Sequence, residues 1–307
     1  MKTPPISYEV LQLRPNQILV YTYWPDARRG RAKKEQIEYT PAMQLYLKSI
    51  EPDEPNEKYT GMLSQSAKRK LRYSINLLVA QSQWKEAFNY DLQKTFRFRV
   101  NFITLTLSAP QKDISDKEIK RVCLNNFLNR AKKKYGMNTY VWRAEKQKNG
   151  NIHFHITTDV FIHYRELCDL WNECQELLGF VSRFRERTGS YRPNSTDVHS
   201  VHNIKELAAY MVKYMSKETE DGQKIEGKVW GCSRNLSKAQ KFETELYGMH
   251  YDKFKQLVDD YPDAVFKNEH CEIITLPEKV FLKEISPVWG KEYAKYLGQV
   301  RSKRVEK

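Results

Sequence analysis

Several short stretches of the chain alternate between apolar and polar residues, which is the spacing of a half-buried strand. The clearest is FRVNFITLTLS, in which Ile103, Leu105 and Leu107 share one face and the intervening threonines share the other. Further strands are predicted over NTYVWRAEKQ, NIHFHITTDV, TDVHSV and GKVWGCS, in that order along the chain. The central part of the sequence is therefore expected to form a sheet.

Other stretches repeat apolar residues at three- and four-residue spacing, which is typical of an amphipathic helix. The segment 64–81 carries such a stripe, and the segment 115–136 begins with a capping serine and ends at a glycine. Helices are also predicted near residues 164–178 and 203–217. Because helices and strands are mixed and a tight turn joins the two central strands, the predicted class is α+β, with a central antiparallel sheet and flanking helices.

Composition and pattern divide the chain into three parts. Residues 1–92 are expected to form a largely helical extension of unknown role, residues 93–240 a central domain, and residues 241–307 a mostly helical extension with a basic tail. The first part contains a basic segment at residues 27–34, and several lysines and arginines lie on its helix at residues 64–81. For that helix, contact with DNA and simple solvation of the basic face are both open.

The loop between the two central strands decides which residues face each other across the hairpin. A two-residue loop of Asn149 and Gly150 places Glu145 opposite Phe154, whereas a three-residue loop with glycine in the left-handed position places Glu145 opposite His153. The two-residue register mixes charge into the apolar face, which is unfavourable wherever that face is buried. The three-residue loop is therefore expected. Its apolar face holds Trp142, Ala144, Ile152, Phe154 and Ile156.

The opposite face of the same hairpin is polar. It carries Glu145, Gln147, His153 and His155, with Arg143 across from His155. The two histidines are two positions apart, so they share this face. Two imidazoles and a carboxylate form a site that suits Mn²⁺ or Mg²⁺ and also accepts other divalent ions. A pair of histidines on a partly exposed strand is the alternative, but Glu145 at matching height favours metal ligation by His153, His155 and Glu145.

A second group of residues lies on the helix predicted at residues 203–218. Tyr210, Lys213, Tyr214 and Lys217 recur on one face of it, apart from the apolar stripe. A tyrosine titrates near pH 10, at about its reference value, and therefore needs help to act as a nucleophile. A nearby lysine favours the phenolate, and a divalent ion polarises a phosphate under attack. Tyrosines packed at a helix rim beside solvated lysines are the alternative.

The charge balance indicates the kind of partner. The 307 residues include 52 Lys and Arg against 38 Asp and Glu, a formal net charge of +14. This favours a polyanionic partner, most often nucleic acid, although a basic surface without a dedicated partner has the same balance. No long apolar segment or lipidation signal is found, so no membrane association is expected. Five scattered cysteines fit a reducing compartment, and Cys168 and Cys174 are interpreted as buried free thiols.

Together, these motifs resemble those of the HUH endonuclease superfamily, the rolling-circle replication initiators. HFHI at residues 153–156 is similar to the histidine–hydrophobe–histidine motif, and FITLTLS at 102–108 is similar to the family's first motif. YMVKYMSK at 210–217 resembles the two-tyrosine form of phage initiators, and Glu145 falls where many relatives have an acidic third ligand. The match covers about residues 95–235. Its motif order disfavours a relaxase, in which the tyrosine precedes the histidines.

The resemblance implies a phage or plasmid enzyme that works in the cytoplasm of a bacterial host. It would nick single-stranded DNA at an origin through a 5′-phosphotyrosine link and later rejoin it, with a host polymerase and helicase as further partners. If one tyrosine acts alone, Tyr214 is favoured, because YMSKE is similar to the single-tyrosine motif of viral initiators. The implied roles are metal ligation by His153, His155 and Glu145, nucleophilic attack by Tyr210 and Tyr214, and electrostatic assistance by Lys213 and Lys217.

Other interpretations share these residues. A single-strand transposase of the same superfamily and a non-catalytic basic DNA-binding protein are both open. GQKIEGKV at residues 222–229 nearly fits a Walker A loop, but Val229 replaces the hydroxyl residue that would bind Mg²⁺, so a loop without ATPase activity is expected. His199 and His202 either line a DNA groove, join the metal site or face solvent. RFRERTGSYR at residues 183–192 either stacks on unpaired bases or forms a plain exposed loop.

Overall fold

The computed structural model describes residues 7–23, 61–91, 93–201, 224–239 and 241–302. The chain forms two compact units. One contains residues 59–240 with 295–307, and the other contains residues 1–58 with 241–294. Each unit has its own antiparallel sheet, so the predicted α+β class is confirmed.

The central unit is built on a five-stranded antiparallel sheet. Its strands are β5 (Val100–Leu105), β6 (Tyr140–Lys146), β7 (Ile152–Thr158), β8 (Thr196–Val201) and β9 (Trp230–Cys232). They lie in the order β8–β5–β7–β6–β9. All five coincide with strands that the alternation predicted, and β7, which carries the two histidines, is the middle strand.

Helices cover one face of this sheet and form the hydrophobic core with it. They are α2 (Asp116–Ile119), a π-helical turn (Lys120–Leu124), α3 (Asn125–Tyr135), α4 (Tyr164–Glu176) and α5 (Phe180–Thr188). Phe154 of β7 contacts the ring of Trp171, and Trp171 contacts Phe127, all three fully buried. The apolar face of the hairpin therefore packs inward, as its pattern predicted.

The predicted boundaries of the helical segment 115–136 are confirmed. The Ser115 hydroxyl accepts a hydrogen bond from the Glu118 N–H, which caps the first turn. Gly136 ends the segment with a φ of 67°, a left-handed conformation that favours glycine. The π-helical turn between α2 and α3 was not predicted, since one extra residue in a turn leaves the apolar spacing almost unchanged.

Helix α1 (Gln65–Gln81) and a two-stranded hairpin precede the central sheet in the same unit. The Ser64 hydroxyl caps α1, and the predicted apolar stripe of Leu71, Ile75 and Leu78 is fully buried. The hairpin pairs β3 (Lys85–Asn89) with β4 (Lys94–Phe98).

The other unit contains a second antiparallel sheet, in the order β10–β1–β2–β12–β11. Its strands are β1 (Tyr8–Arg14), β2 (Gln17–Tyr23), β10 (Phe242–Glu245), β11 (Val265–Lys267) and β12 (Cys271–Thr275). The remaining elements are α6 (Arg234–Ser237) in the central unit, and α7 (Met249–Asp260) and α8 (Glu278–Ser302), which contact each other through a hydrogen bond from Trp289 to His250.

These strands differ from the largely helical extensions expected at both ends of the chain. The described part of residues 1–92 contains three strands and one helix, and the described part of residues 241–307 contains three strands beside its helices. The physical reason is the distance of the partners. Leu11 of β1 pairs with Thr244 of β10, so the hydrogen bonds that stabilise this strand come from the far end of the chain.

Candidate metal centre

The hairpin of β6 and β7 has the predicted register. Glu145 faces His153, and Arg143 faces His155. The Gln147 N–H donates to the Asn151 carbonyl at 2.8 Å, which closes a three-residue loop. Gly150 in that loop has a φ of 81°, the left-handed value that the prediction required.

A buried polar network attaches this loop to the rest of the unit. The Asn151 side chain accepts from the Gln111 N–H at 2.8 Å and donates to the Ala109 carbonyl at 3.1 Å. The Lys146 ammonium donates to Asp116 at 2.7 Å and to the Gly150 carbonyl at 3.0 Å. Asn151 and Asp116 are almost fully buried, so a slipped register would leave these groups without partners, which is costly.

Three ligand atoms converge on the polar face of the hairpin. Oε2 of Glu145 lies 3.1 Å from Nε2 of His155 and 3.4 Å from Nε2 of His153. Among the described residues, this is the group of at least three histidine, cysteine or acidic side chains that could hold a metal ion. Each of the three side chains is between 16% and 19% exposed, so the site is recessed but reachable from solvent.

Neighbouring residues orient the ligands. Nη1 of Arg143, which is almost fully buried, donates to Oε1 of Glu145 at 2.8 Å. Thr104 on the adjacent strand β5 lies with its hydroxyl 3.2 Å from Nδ1 of His155, and the Phe102 ring stacks on the same imidazole at 5.1 Å between centroids. Partners on the far nitrogen of a histidine and the far oxygen of a carboxylate are typical of metal sites, because they hold each ligand in one orientation.

The surroundings of the ligands keep them in the state that binds a metal. Burial acts to raise the pKa of Glu145, but hydrogen bonds from His153 and His155 and the charge of Arg143 outweigh it, and the pKa lies well below its usual range. Burial lowers the pKa of His155 below its ordinary value, although the hydrogen bond from Glu145 opposes this change. A neutral imidazole and a charged carboxylate are the forms that bind divalent ions.

The donor set fits one divalent ion. Donors at about 2.1 Å from a common ion are about 3.0 Å apart when adjacent in an octahedron and about 3.4 Å apart in a tetrahedron. The two distances from Glu145 to the imidazoles are close to these values. Mixed nitrogen and oxygen donors suit Mn²⁺ or Mg²⁺, and equally other borderline divalent ions, so the arrangement does not select the metal.

The four predicted residues of the tyrosine group lie outside the described residues: Tyr210, Lys213, Tyr214 and Lys217. The described chain ends before them at Val201 on edge strand β8 and resumes after them at Lys224, before edge strand β9. The ligand-bearing strands β6 and β7 lie between these two edges.

Helix α1 lies on the same face as the ligands. The Ser74 hydroxyl contacts the Cys232 thiol at 3.8 Å, and Cys232 pairs with Val141 of β6. Val141 and Glu145 point to the same side of β6, because they are an even number of residues apart. One end of the ligand face is therefore covered by α1.

The remaining candidate residues have clear positions where the structure describes them. His199 is 67% exposed and lies 2.6 Å from Asp197, so it faces solvent and not the metal site, whereas His202 lies outside the described residues. Cys168 and Cys174 are buried free thiols, as predicted. Residues 224–229 form a loop, as expected for the Walker-like segment, in which Ile225 and Val229 pack into the core.

The segment at residues 183–192 is not a plain loop, since its first part lies on helix α5. The exposed Tyr191 ring lies 4.0 Å from the Arg185 guanidinium.

Sequence reasoning gave no role to three residues around the ligands: Arg143, Thr104 and Phe102. Arg143 was visible as the residue opposite His155, but an arginine on a strand is more often a surface residue. Thr104 and Phe102 come from β5, which pairs with β7, and nothing in the local pattern indicates that pairing.

Residues 100–219 match a family model of replication-associated proteins, the ORF2 type. The matched segment includes the three ligands and also the YMVKYMSK segment. A comparison with curated proteins found no match, and neither did a comparison with solved structures. The family match supports a role in replication for the central part of this chain. In the described parts, no helix combines the length and the apolar character needed to cross a bilayer.

Proposed function

We propose that this protein initiates rolling-circle replication by nicking and rejoining single-stranded DNA at an origin, with a tyrosine as the nucleophile and a divalent ion as the cofactor. One observation carries the proposal. The recessed cluster of Glu145, His153 and His155 lies within the segment matched by a replication-associated family, and that segment also contains the two tyrosines.

In this proposal, His153, His155 and Glu145 hold Mn²⁺ or Mg²⁺. The bound ion supplies Lewis-acid polarisation of the phosphate under attack. The protein's own contribution is positional. Arg143 and Thr104 fix two of the ligands, and the inward packing of Phe154 between the histidines fixes the strand that carries them.

The covalent step is a transesterification. The phenolic oxygen of Tyr210 or Tyr214 forms a bond to phosphorus, and the bond from phosphorus to the 3′ oxygen of the preceding nucleotide breaks. That oxygen receives, in net terms, the phenolic proton and leaves as a free 3′-OH, while the 5′ side stays linked to the protein. Lys213 and Lys217 favour the phenolate and offset the charge that develops at phosphorus.

Two tyrosines allow a second exchange. After synthesis from the 3′-OH, the other tyrosine cleaves the displaced strand, and the first link is resolved by the new 3′-OH. Because each exchange replaces one phosphate ester by another, joining requires no ATP. This sequence needs a host polymerase and helicase, and it takes place in the cytoplasm of a bacterial host that carries the phage or plasmid.

The described anchors of the tyrosine segment are compatible with this role. Strands β8 and β9 lie at opposite edges of the sheet, four strand spacings or about 19 Å apart. Even at the about 1.5 Å per residue of a helix, the connection of residues 202–223 exceeds that distance. The segment is thus long enough to bring its tyrosines to the ligand strands between the two edges.

A denaturing gel tests the proposal. The protein is incubated with labelled single-stranded origin DNA and Mn²⁺, and we expect a protein–DNA adduct that survives denaturation and that EDTA prevents. The double variant Tyr210→Phe plus Tyr214→Phe should bind the same DNA without forming the adduct, and adduct formation by it would remove both tyrosines from the mechanism.

The alternatives give different results in the same experiment. A protein that only binds DNA gives no adduct with any divalent ion. A transposase of the same superfamily forms the adduct preferentially on hairpin element ends, so an origin strand and a hairpin strand are compared at equal concentration.

A further inference from the structure

Three large aromatic side chains are exposed on one side of the β3–β4 hairpin. Trp84 is 50% exposed, Phe88 is 38% exposed and Tyr90 is 69% exposed. They lie at even spacing along the chain, so they face the same way. The Phe88 and Tyr90 rings contact each other edge to face at 5.1 Å.

The opposite side of this hairpin is what attaches it to the protein. Phe96 and Phe98 pack against Phe161, and Phe98 is almost fully buried. The Lys85 ammonium donates to the Asp159 carbonyl at 2.6 Å and lies 3.1 Å from the Asp159 carboxylate. The hairpin is therefore held without the three exposed rings, which leaves their faces available for another molecule.

The loop of the hairpin is also fixed. The Asp91 carboxylate lies 2.9 Å from the Arg165 guanidinium and 3.3 Å from the His163 imidazole, both at the start of α4. Tyr90, the most exposed of the three aromatics, is next to this anchor in the chain. A rigid platform loses little conformational entropy when a ligand binds to it, which favours its use as a binding surface.

The charge beside the exposed rings indicates an anionic occupant. The Arg97 guanidinium lies 5.9 Å from the centre of the Trp84 ring and is 68% exposed. Glu86 is the acidic residue opposite Arg97, at 3.9 Å, and an exposed pair at that distance is only weakly neutralised. Arginine beside flat aromatic rings is the combination that binds unpaired nucleic acid, since bases stack on the rings while the cation contacts phosphate.

We propose that the outer face of the β3–β4 hairpin, formed by Trp84, Phe88, Tyr90 and Arg97, binds unpaired bases of the DNA strand on which the metal centre acts. The proposal rests on the proposed function for the identity of the strand. Double-stranded DNA does not fit this surface, because its bases are already stacked on each other. A second copy of the chain is the competing occupant of an exposed aromatic face.

The position of the hairpin in the unit supports this assignment. Strand β4 ends at Phe98 and β5 begins at Val100, so the hairpin leads directly into the strand that contacts the metal centre. Thr104, which lies against His155, is five residues from Arg99, or about 17 Å along an extended strand. At about 3.4 Å per stacked nucleotide, this is the length of about five nucleotides.

Binding to a fluorescein-labelled oligothymidine of about 20 nucleotides, a length that spans one or two single-strand binding sites, tests the proposal. Fluorescence anisotropy is measured in EDTA, so that neither a metal nor strand cleavage contributes. Trp84→Leu, Phe88→Leu and Tyr90→Leu keep an apolar side chain but remove the aromatic face, and each should weaken binding about 5-fold or more. Phe88→Tyr keeps an aromatic ring and should bind like the parent protein.

Matched controls separate stacking from general effects. Phe266 is 59% exposed and Tyr247 is 67% exposed, and both lie in the other unit. Phe266→Leu and Tyr247→Leu should leave the affinity unchanged. A duplex of the same length, at the same salt concentration, should bind the parent and the hairpin variants equally well. Thermal unfolding by circular dichroism confirms that each variant is folded.

The results that overturn the proposal are specific. Affinities of all three leucine variants within about twofold of the parent, or an equal loss on single-stranded and duplex DNA, contradict base stacking. A lower mass by light scattering for the variants, with unchanged DNA affinity, assigns the surface to a second copy of this chain. Failure of the adduct experiment leaves this test unaffected, because anisotropy in EDTA does not depend on the tyrosines or the metal.

Discussion

Arg143 holds one oxygen of Glu145 and leaves the other to the two imidazoles. Its Nη1 donates to Oε1 at 2.8 Å, while Oε2 faces His153 and His155. The arginine thus orients the carboxylate and keeps it charged in a recessed position. It also places a positive charge near the metal, which by itself weakens the binding of a cation, so orientation and charge act in opposite directions.

Arg143→Lys separates these two effects, because it keeps the charge and loses the planar donor geometry. We expect Mn²⁺ affinity to fall about 10-fold, at the lower end of the effect of removing a ligand's supporting hydrogen bond. Isothermal titration calorimetry measures this directly. An unchanged affinity would mean that the carboxylate needs no orientation by Arg143.

The three ligands should determine metal-dependent stability. A ligand that binds only the native state stabilises it by about 2.7 kcal/mol at about 100 times its dissociation constant. Parent protein with Mn²⁺ should therefore unfold at a higher temperature than with EDTA, and His153→Ala, His155→Ala and Glu145→Gln should lose this difference.

His199→Ala is the matched control for the ligand variants, since this histidine is on the same sheet but 67% exposed. It should keep the full response to Mn²⁺. An equal loss of the response in His199→Ala would show that the ion binds outside the three-residue cluster.

The loop glycine of the hairpin provides a test of register. Gly150 has a φ of 81°, and a Cβ there would meet no atom within 4 Å, so the cost of Gly150→Ala is conformational and not steric. We expect a loss of about 1 kcal/mol in the free energy of unfolding. Gly150→Asn should cost less, because asparagine tolerates the left-handed region better.

Urea unfolding of the two variants in EDTA gives these values, and Mn²⁺ titration of the same proteins shows whether the ligands stay aligned. If Gly150→Ala were as stable as the parent, the loop would not hold the left-handed conformation in solution.

Acid should destabilise the metal-free protein through the same cluster. The pKa of His155 in the native state is below the 6.5 of an ordinary histidine, because the side chain is buried. Below about pH 6.5 the unfolded chain therefore binds more protons than the native protein, and the free energy of unfolding decreases as the pH falls. The lowered pKa of Glu145 acts in the same direction at more acidic pH, since its contribution is lost as the native carboxylate is protonated.

His155→Asn removes the first of these contributions. In EDTA, the parent should lose more stability than His155→Asn between about pH 7 and pH 5, as measured by urea unfolding at each pH. Equal losses would assign the acid sensitivity to other groups.

The sequence by itself determined the local features of the site. Alternation placed His153 and His155 on one side of β7, and the contrast between a polar and an apolar face selected the three-residue loop that brings Glu145 to them. Capping residues marked the ends of α1 and of the segment 115–136. These features depend on neighbours within about 20 residues, and local spacing is sufficient to predict them.

Only the tertiary structure decided what surrounds the ligands. Thr104 reaches His155 because β5 pairs with β7, across 51 residues of chain. The β3–β4 hairpin was missed because its exposed side is aromatic, so polarity does not alternate along it. Leu11 and Thr244 became neighbours through backbone hydrogen bonds that either strand alone could make with other partners. Which strands pair is decided by the burial of whole faces when the chain becomes compact, and that is a property of the assembled fold.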